Sequence, residues 1–170
     1  MPVTLRPAHL DDVIPVGYLH HRSRRDAYRG IVSDEALTAV SAESTAGWWV
    51  ERWTYERHTH LLTVAEHDGH LVGFSYLGPH EDGDPHLGEL YAIHVDPARL
   101  RTGIGRLLIH HARTALRDQG HDHAVLWVLT ANTQARRFYE RDGWSPDGPR
   151  RESWIGPAAT EQLRYRRQLR

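Results

Sequence analysis

Hydrophobic and polar positions change period several times along the chain, and each change marks an element. Residues 3–8, VTLRPA, read as a short strand. Asp11 and Asp12 follow where carboxylates favour the exposed amides of a helix start. A helix is predicted from there to about Ala27, with Pro15 in or near its first turn. YRGIVSDEAL is a turn leading into a short helix that holds Ala36 and Leu37, with Ser33 as its cap. The next helix runs roughly from Glu43 to Arg57 and carries Trp48, Trp49 and Trp53. Leu61–Glu66 and Leu71–Leu77 read as strands on either side of Asp68–Gly69, a dipeptide suited to a tight hairpin. After the polar loop GPHEDGDP, Leu87–Val95 reads as a longer strand ending at Asp96–Pro97.

Beyond that strand the period lengthens. Ile104, Leu107, Leu108, Ala112, Ala115 and Leu116 recur at helical spacing until Gly120. AVLWVLT is a buried-looking strand, ANTQARRFYERDGW a short helix closed by Gly143, Trp144 the start of another strand, and QLRYRRQL a final one. Apart from the short helix at Ala36, the order is β-α-α-β-β-β-α-β-α-β-β. It predicts an α/β fold of the α+β type: a single mixed, mostly antiparallel sheet flanked by helices. Residues 1–170 are expected to form one domain.

Composition narrows the function. The 21 basic residues are balanced by 22 acidic ones, which argues against a protein built to wrap nucleic acid. No apolar run approaches the roughly 20 residues that cross a bilayer, and the N-terminal residues lack the apolar core of a signal peptide. No membrane partner and a cytoplasmic location are therefore expected. Cysteine is absent, which removes disulfides, thiol nucleophiles and cysteine metal sites. Every basic residue is arginine, so an anion must be held by guanidinium groups or backbone amides. The 14 histidines form no HExxH motif. Pairs such as His58/His60, His67/His70 and His121/His123 fall beside predicted turns or strand ends, and no metal is expected.

The strongest local signal is VDPARLRTGIGRLL, residues 95–108. A strand ends, the chain turns, and two glycines flank Ile104 at the mouth of an amphipathic helix. Glycine permits close backbone approach to an anion, and the free amides and dipole of the first helical turn favour negative charge. Arg101 and Arg106 are placed to add guanidinium contacts, with Arg99 farther out. The loop has neither a dinucleotide GxGxxG run nor a Walker-type lysine motif.

These residues resemble the GNAT family of N-acetyltransferases. The matching positions are Val95, Pro97, Gly103, Ile104 and Gly105, with Leu100 standing where the family usually has Arg or Gln. LWVLTANTQARRFYERDGW, residues 126–144, resembles the family's strand–Asn–helix block. The resemblance implies an acyl-CoA N-acyltransferase fold with splayed central strands and acetyl-CoA (coenzyme A) as co-substrate. It implies direct transfer of an acetyl group to a primary amine on an unidentified small molecule or peptide. The implied cofactor-binding residues are Ile93, His94 and Val95 on the strand, and Arg101, Thr102, Gly103, Ile104, Gly105 and Arg106 in the loop and helix start. Asn132 and Arg136 complete the set. The implied general acid is Tyr139, a phenol that stays protonated at neutral pH.

Strand alternation places Glu89, Tyr91, Ile93 and Val95 on one face and Leu90, Ala92 and His94 on the other. A carboxylate on such an apolar strand suits a general base, and related enzymes use a glutamate at the matching position. His94 is expected to face away from Glu89, in a packed or surface role. The three tryptophans suit either an acceptor pocket or a core or homodimer contact. The main alternative from another class is an acyl-CoA-binding regulatory module without transferase activity. A nucleotide-phosphate enzyme fits less well, since its usual lysine and metal ligands are missing.

Overall fold

The computed structural model describes residues 1–170. The chain opens with β1 (Thr4–Pro7), followed by α1 (Val13–Ala27), α2 (Asp34–Thr38) and α3 (Ala42–Glu56). Three antiparallel strands come next: β2 (Leu61–His67), β3 (His70–Pro79) and β4 (Leu87–Val95). Then follow α4 (Ile104–Asp118), β5 (His123–Leu129), α5 (Thr133–Arg141), β6 (Ser145–Ile155) and β7 (Ala158–Gln168). One seven-stranded sheet results, in the order β1-β2-β3-β4-β5-β7-β6. Every neighbouring pair is antiparallel except β4 with β5.

Local chemistry explains most boundaries. Ser33 and Ser41 start α2 and α3 by accepting hydrogen bonds from Ala36 N at 3.1 Å and Ser44 N at 3.0 Å. Asp68 and Gly69 both have positive φ, the backbone that a tight β2–β3 hairpin requires. Pro15 sits in the first turn of α1, where its missing amide breaks no helical bond. The apolar stripe of α4 buries Ile104, Leu108, Ile109, Ala112 and Leu116. Leu107, expected in that stripe, is instead 40% exposed.

Two layers of helices sandwich the sheet. On one face, Val13, Val16 and Leu19 of α1 and Trp49 of α3 pack on Val64, Phe74 and Tyr76. The two helices approach closely: a Cβ added at Gly17 would lie 2.3 Å from Ala46 Cα. On the other face, Ile109, Ala112 and Leu116 of α4 pack on Leu77, Leu90, Ala124 and Leu126. The closing β6–β7 hairpin is longer than the chain's pattern suggested, because β6 is an edge strand with mostly exposed side chains and no apolar alternation.

Candidate active site

β4 and β5 pair for only three positions, Leu87 with His123, Gly88 with Ala124 and Glu89 with Val125. Beyond them the strands diverge, and β4 runs on to Val95 while β5 runs on to Leu129 with β7 as its partner. Main-chain groups of β4 past Glu89 that face β5 therefore lack a ladder partner, and such groups call for other bonds. The split opens into a cavity of about 1410 Å³. Ile93, His94 and Val95 line it from β4; Val128, Leu129 and Asn132 line it from β5 and the turn after it.

One mouth of the cavity is cationic. Gly103, with φ of 91°, caps α4, and the left-handed backbone extends to Arg101, a non-glycine residue with φ of 60°. That strained turn aims the free amides of the α4 start at the cavity. Gly105 is small because of its neighbour: a Cβ there would stand 3.3 Å from the Phe138 ring, so α4 and α5 meet closely. Arg99, Arg101 and Arg106 line this mouth together with Arg137 and Arg141 of α5. The arrangement suits a polyanionic group.

At the other end, β4 carries an extra residue. Leu77 pairs with Leu90 and Tyr76 with Ala92, leaving Tyr91 bulged out of the ladder. The bulge reverses the alternation that the unbroken strand implied. Glu89 lies opposite Gly78 and His94 opposite Phe74, on the α1/α3 face, while Leu90, Ile93 and Val95 face α4. Glu89 and His94 thus share a face, contrary to the alternation expected from sequence, and Ile93 and Val95 do not share it.

Glu89 is 5% exposed, and its Oε2 lies 3.8 Å from His80 Nε2. Burial raises its pKa, opposed by His80 and then Arg151. His80 Nδ1 in turn lies 2.9 Å from the exposed carboxylate of Asp82. Glu89 does not itself line the cavity; Tyr91, Trp127 and Arg52 do. His94 lines it, with its ring 4.4 Å from that of His20 and Nδ1 2.9 Å from Ser23 Oγ. Burial, then Arg24, lowers its pKa to about 3, so His94 is neutral at pH 7 and a poor base. Tyr139 lines the cavity among the rings of Phe138, Trp144 and Tyr165. Burial, then Tyr28, pushes its pKa up, so the phenol stays protonated.

The model of the acetyltransferase (GNAT) family matches residues 21–144, most of the chain and both strands of the split. The chain belongs to the GNAT acetyltransferase family. Among solved structures, the PaiA N-acetyltransferase of Thermoplasma acidophilum in complex with coenzyme A superposes with a TM-score of 0.76 at 19% identity, covering 99% of each chain. YncA of Salmonella typhimurium, a putative acetyltransferase solved with acetyl-CoA, gives 0.73 at 17% identity, covering 100% of this chain and 95% of that one. Among curated relatives, an uncharacterized N-acetyltransferase of Bacillus subtilis, YuaI, is 27% identical over 85% of this chain and 80% of its own. A mycothiol acetyltransferase of Rhodococcus erythropolis is 41% identical over 69% of this chain but only 44% of its own. One from Thermobispora bispora is 41% identical over 48% of this chain and 29% of its own. The chain thus matches less than half the length of these two mycothiol enzymes.

In this GNAT chain the residues expected from sequence separate into two groups. Ile93, His94, Val95, Arg101, Gly103, Gly105, Arg106, Asn132 and Tyr139 come together around the cavity. Ile104 is buried beneath the loop against Leu108, and Thr102 turns back to donate to Arg99 O at 2.6 Å. Arg136 points away: Nε donates to Tyr165 Oη at 2.9 Å and Nη1 to Thr130 O at 3.0 Å, locking α5 to β7. The neighbouring Arg137 faces the cavity instead, one helical position and about 100° round the axis. Asn132 caps α5 by accepting from Ala135 N at 3.2 Å, and it also lines the site.

Sequence reasoning missed Arg137, Arg141, Arg24 and Arg52, all of which line the GNAT cavity. The i, i+4 spacing of Arg137 and Arg141 was a usable signal; the two on the early helices had none. Of the tryptophans, Trp49 is core and reaches the cavity wall, Trp48 lines the cavity, and Trp53 packs at the edge of the core under Arg57. The aromatic faces of Trp48, Tyr76 and Tyr91 already hold a cation, the Arg52 guanidinium at 4.9–5.1 Å, which also pairs with Glu56 at 2.8 Å. No cluster of three or more His, Asp or Glu side chains is arranged to hold a metal, and no helix is long and apolar enough to cross a membrane.

Proposed function

We propose that the protein transfers an acetyl group from acetyl-CoA to the primary amine of a small molecule or peptide, by direct attack with both substrates bound. The observation that carries this is the parting of β4 from β5 immediately after Glu89, with Gly103 and Gly105 at the cationic mouth of the resulting cavity. The residues present fit the coenzyme. The α4 amides with Arg101 and Arg106, joined by Arg137 and Arg141, would hold its phosphates, and the unpaired β4 backbone near Ile93 and Val95 would bond its amide-bearing arm.

When bound, the coenzyme supplies an activated acetyl thioester. The chain's own residues do the rest. The split holds the two reactants together, which accounts for much of the rate gain. Backbone N–H groups at the β4 end meet the carbonyl oxygen as negative charge develops. Glu89, on the α1/α3 face, accepts the amine's proton through water, because Tyr91 and Arg52 line the cavity and Glu89 does not. His80 stands between Glu89 and the exposed Asp82 and offers the proton a way out. Tyr139 donates to the departing sulfur.

Thiol release from acetyl-CoA, measured against a panel of amines, tests this function. Amine-dependent release that disappears in Gly103→Asp protein, with the fold intact, is the expected outcome. Tight acetyl-CoA binding without release for any amine would replace the transferase with a coenzyme-sensing module.

A further inference from the structure

On the α1/α3 side of the cavity, Trp49 dictates the state of a buried histidine. An indole N–H can only donate, and Trp49 Nε1 donates to His20 Nδ1 at 2.9 Å. His20 is 8% exposed, and burial, followed by coupling to the neighbouring His94 and Arg24, holds its pKa well below the ordinary value. The neutral ring, with Nδ1 accepting, must carry its one proton on Nε2. That Nε2–H faces Arg24 Nη2 at 3.1 Å, and a guanidinium has no acceptor. Two donors therefore meet head to head with no acceptor between them.

Nothing else in the protein relieves them. The Arg24 guanidinium makes no other hydrogen bond and no ion pair; burial lowers its pKa, and Tyr28 is the group that acts against this. Asp26, the carboxylate of α1 that lines the cavity, is exposed and does not pair with Arg24. Asp142, the other acidic lining residue, is taken by Arg113 at 2.9 Å. Arg52 is neutralised by Glu56. Arg24 is thus the uncompensated cation of the α1/α3 half of the cavity, and both it and His20 line that cavity.

We infer that Arg24 and His20 seat a carboxylate of the acetyl acceptor, which makes the acceptor a small molecule bearing both a primary amine and a carboxylate, as an amino acid does. This rests on the transferase reading above. A carboxylate has the two oxygens that the facing donors lack: one accepts from the His20 Nε2–H, the other from the guanidinium. Tyr28 is within electrostatic reach of both Arg24 and Tyr139. Arg24, His20, Tyr28 and Tyr139 all line the one cavity, so the seat and the proposed proton donor open into the same space.

The test compares amino acids with the corresponding amino-acid amides, which keep the amine and lose the negative charge. Two readouts are taken on the full chain: thiol release with acetyl-CoA, and calorimetric binding. The acids should exceed the amides by about 10- to 100-fold in kcat/KM or Kd, the range expected for a charged hydrogen-bonded pair. In Arg24→Gln the preference should collapse to within about threefold, while Arg25→Gln, an exposed change on the same helix, should keep it. Amides equal to acids in the wild-type protein, binding of neither, or a preference that survives in folded Arg24→Gln would overturn the carboxylate seat. Thiol release without any acid preference removes the seat and leaves the transferase. Acid-selective binding without thiol release for any amine keeps the seat and removes the transferase.

Discussion

Glu89 and His94 project from the same face of β4, although five positions apart along a strand whose side chains alternate. Tyr91, bulged between them, supplies the extra residue that brings them into line. The consequence is a strand divided by function. Its first half keeps the β4–β5 ladder closed and holds a buried carboxylate toward α1 and α3. Its second half turns Ile93 and Val95 toward α4 and leaves its outer edge open, and His94 faces the α1/α3 side of the cavity. A single β-bulge thus gives the two halves of one strand different surroundings.

Glu89→Gln should lower kcat by about 10²-fold, the usual scale for losing a general base, and should stabilise the fold at neutral pH. Burial raises the folded-state pKa of Glu89 above its unfolded value. The contribution of this group to stability is therefore fully present below the unfolded pKa and is lost as pH rises through the folded one. Glutamine never ionises, so the variant should melt above the wild type at pH 7, with the two curves converging in acid. Melting curves across about pH 4–8, beside steady-state rates, check both halves; wild-type turnover in the variant would remove Glu89 from the mechanism.

Tyr139→Phe should lower kcat by about 10²-fold while leaving the KM for acetyl-CoA within about twofold. Its hydroxyl has no partner in the protein, and the ring packing against Phe138, Trp144 and Tyr165 is retained in phenylalanine. An unchanged Tm with reduced pre-steady-state turnover is the expected pairing. Full activity would assign the proton to water.

Gly103→Ala places a side chain at a φ of 91°, where only glycine is at ease. The strain is about 1–2 kcal/mol, borne by the loop that shapes the phosphate mouth. Calorimetry should show acetyl-CoA affinity weakened by about 10-fold, with the acceptor KM unchanged. Equal affinity would mean that the phosphates are held elsewhere.

Arg136→Ala and Arg137→Ala should behave as opposites. Arg136 holds Tyr165 and the Thr130 carbonyl, so its loss should reduce stability by about 1–3 kcal/mol in urea unfolding and leave coenzyme affinity intact. Arg137 lines the phosphate mouth without an ion pair of its own, so its loss should weaken coenzyme binding and leave stability nearly unchanged. The weaker binding should be most evident at low salt.

Much of the fold and part of the site were legible in the sequence, and for local reasons. The α4 stripe, the serine caps, the Asp68–Gly69 turn and the glycines before Ile104 each act within a few residues, where spacing alone specifies the backbone. Val95 with Gly103, and Asn132 with Tyr139, could be expected at one cavity because each pair lies within a continuous block of the chain. The exposed β6 strand was read short, since an edge strand need not alternate.

Tertiary structure alone decided the rest. Strand alternation set Glu89 with Ile93 and Val95; pairing of Tyr76 with Ala92 and Leu77 with Leu90 expelled Tyr91 and reversed that. Helical rotation, settled by Tyr165 on a distant strand, sent Arg136 into the structure and Arg137 into the cavity. The meeting of His20 with Arg24 needed Trp49, 29 positions away, to choose the proton's place on the ring. Local sequence specifies turns and periods because those are short-range conformational energies. Which face of an element meets a ligand depends on long-range pairing and on hydrogen bonds between residues that only the folded chain brings together.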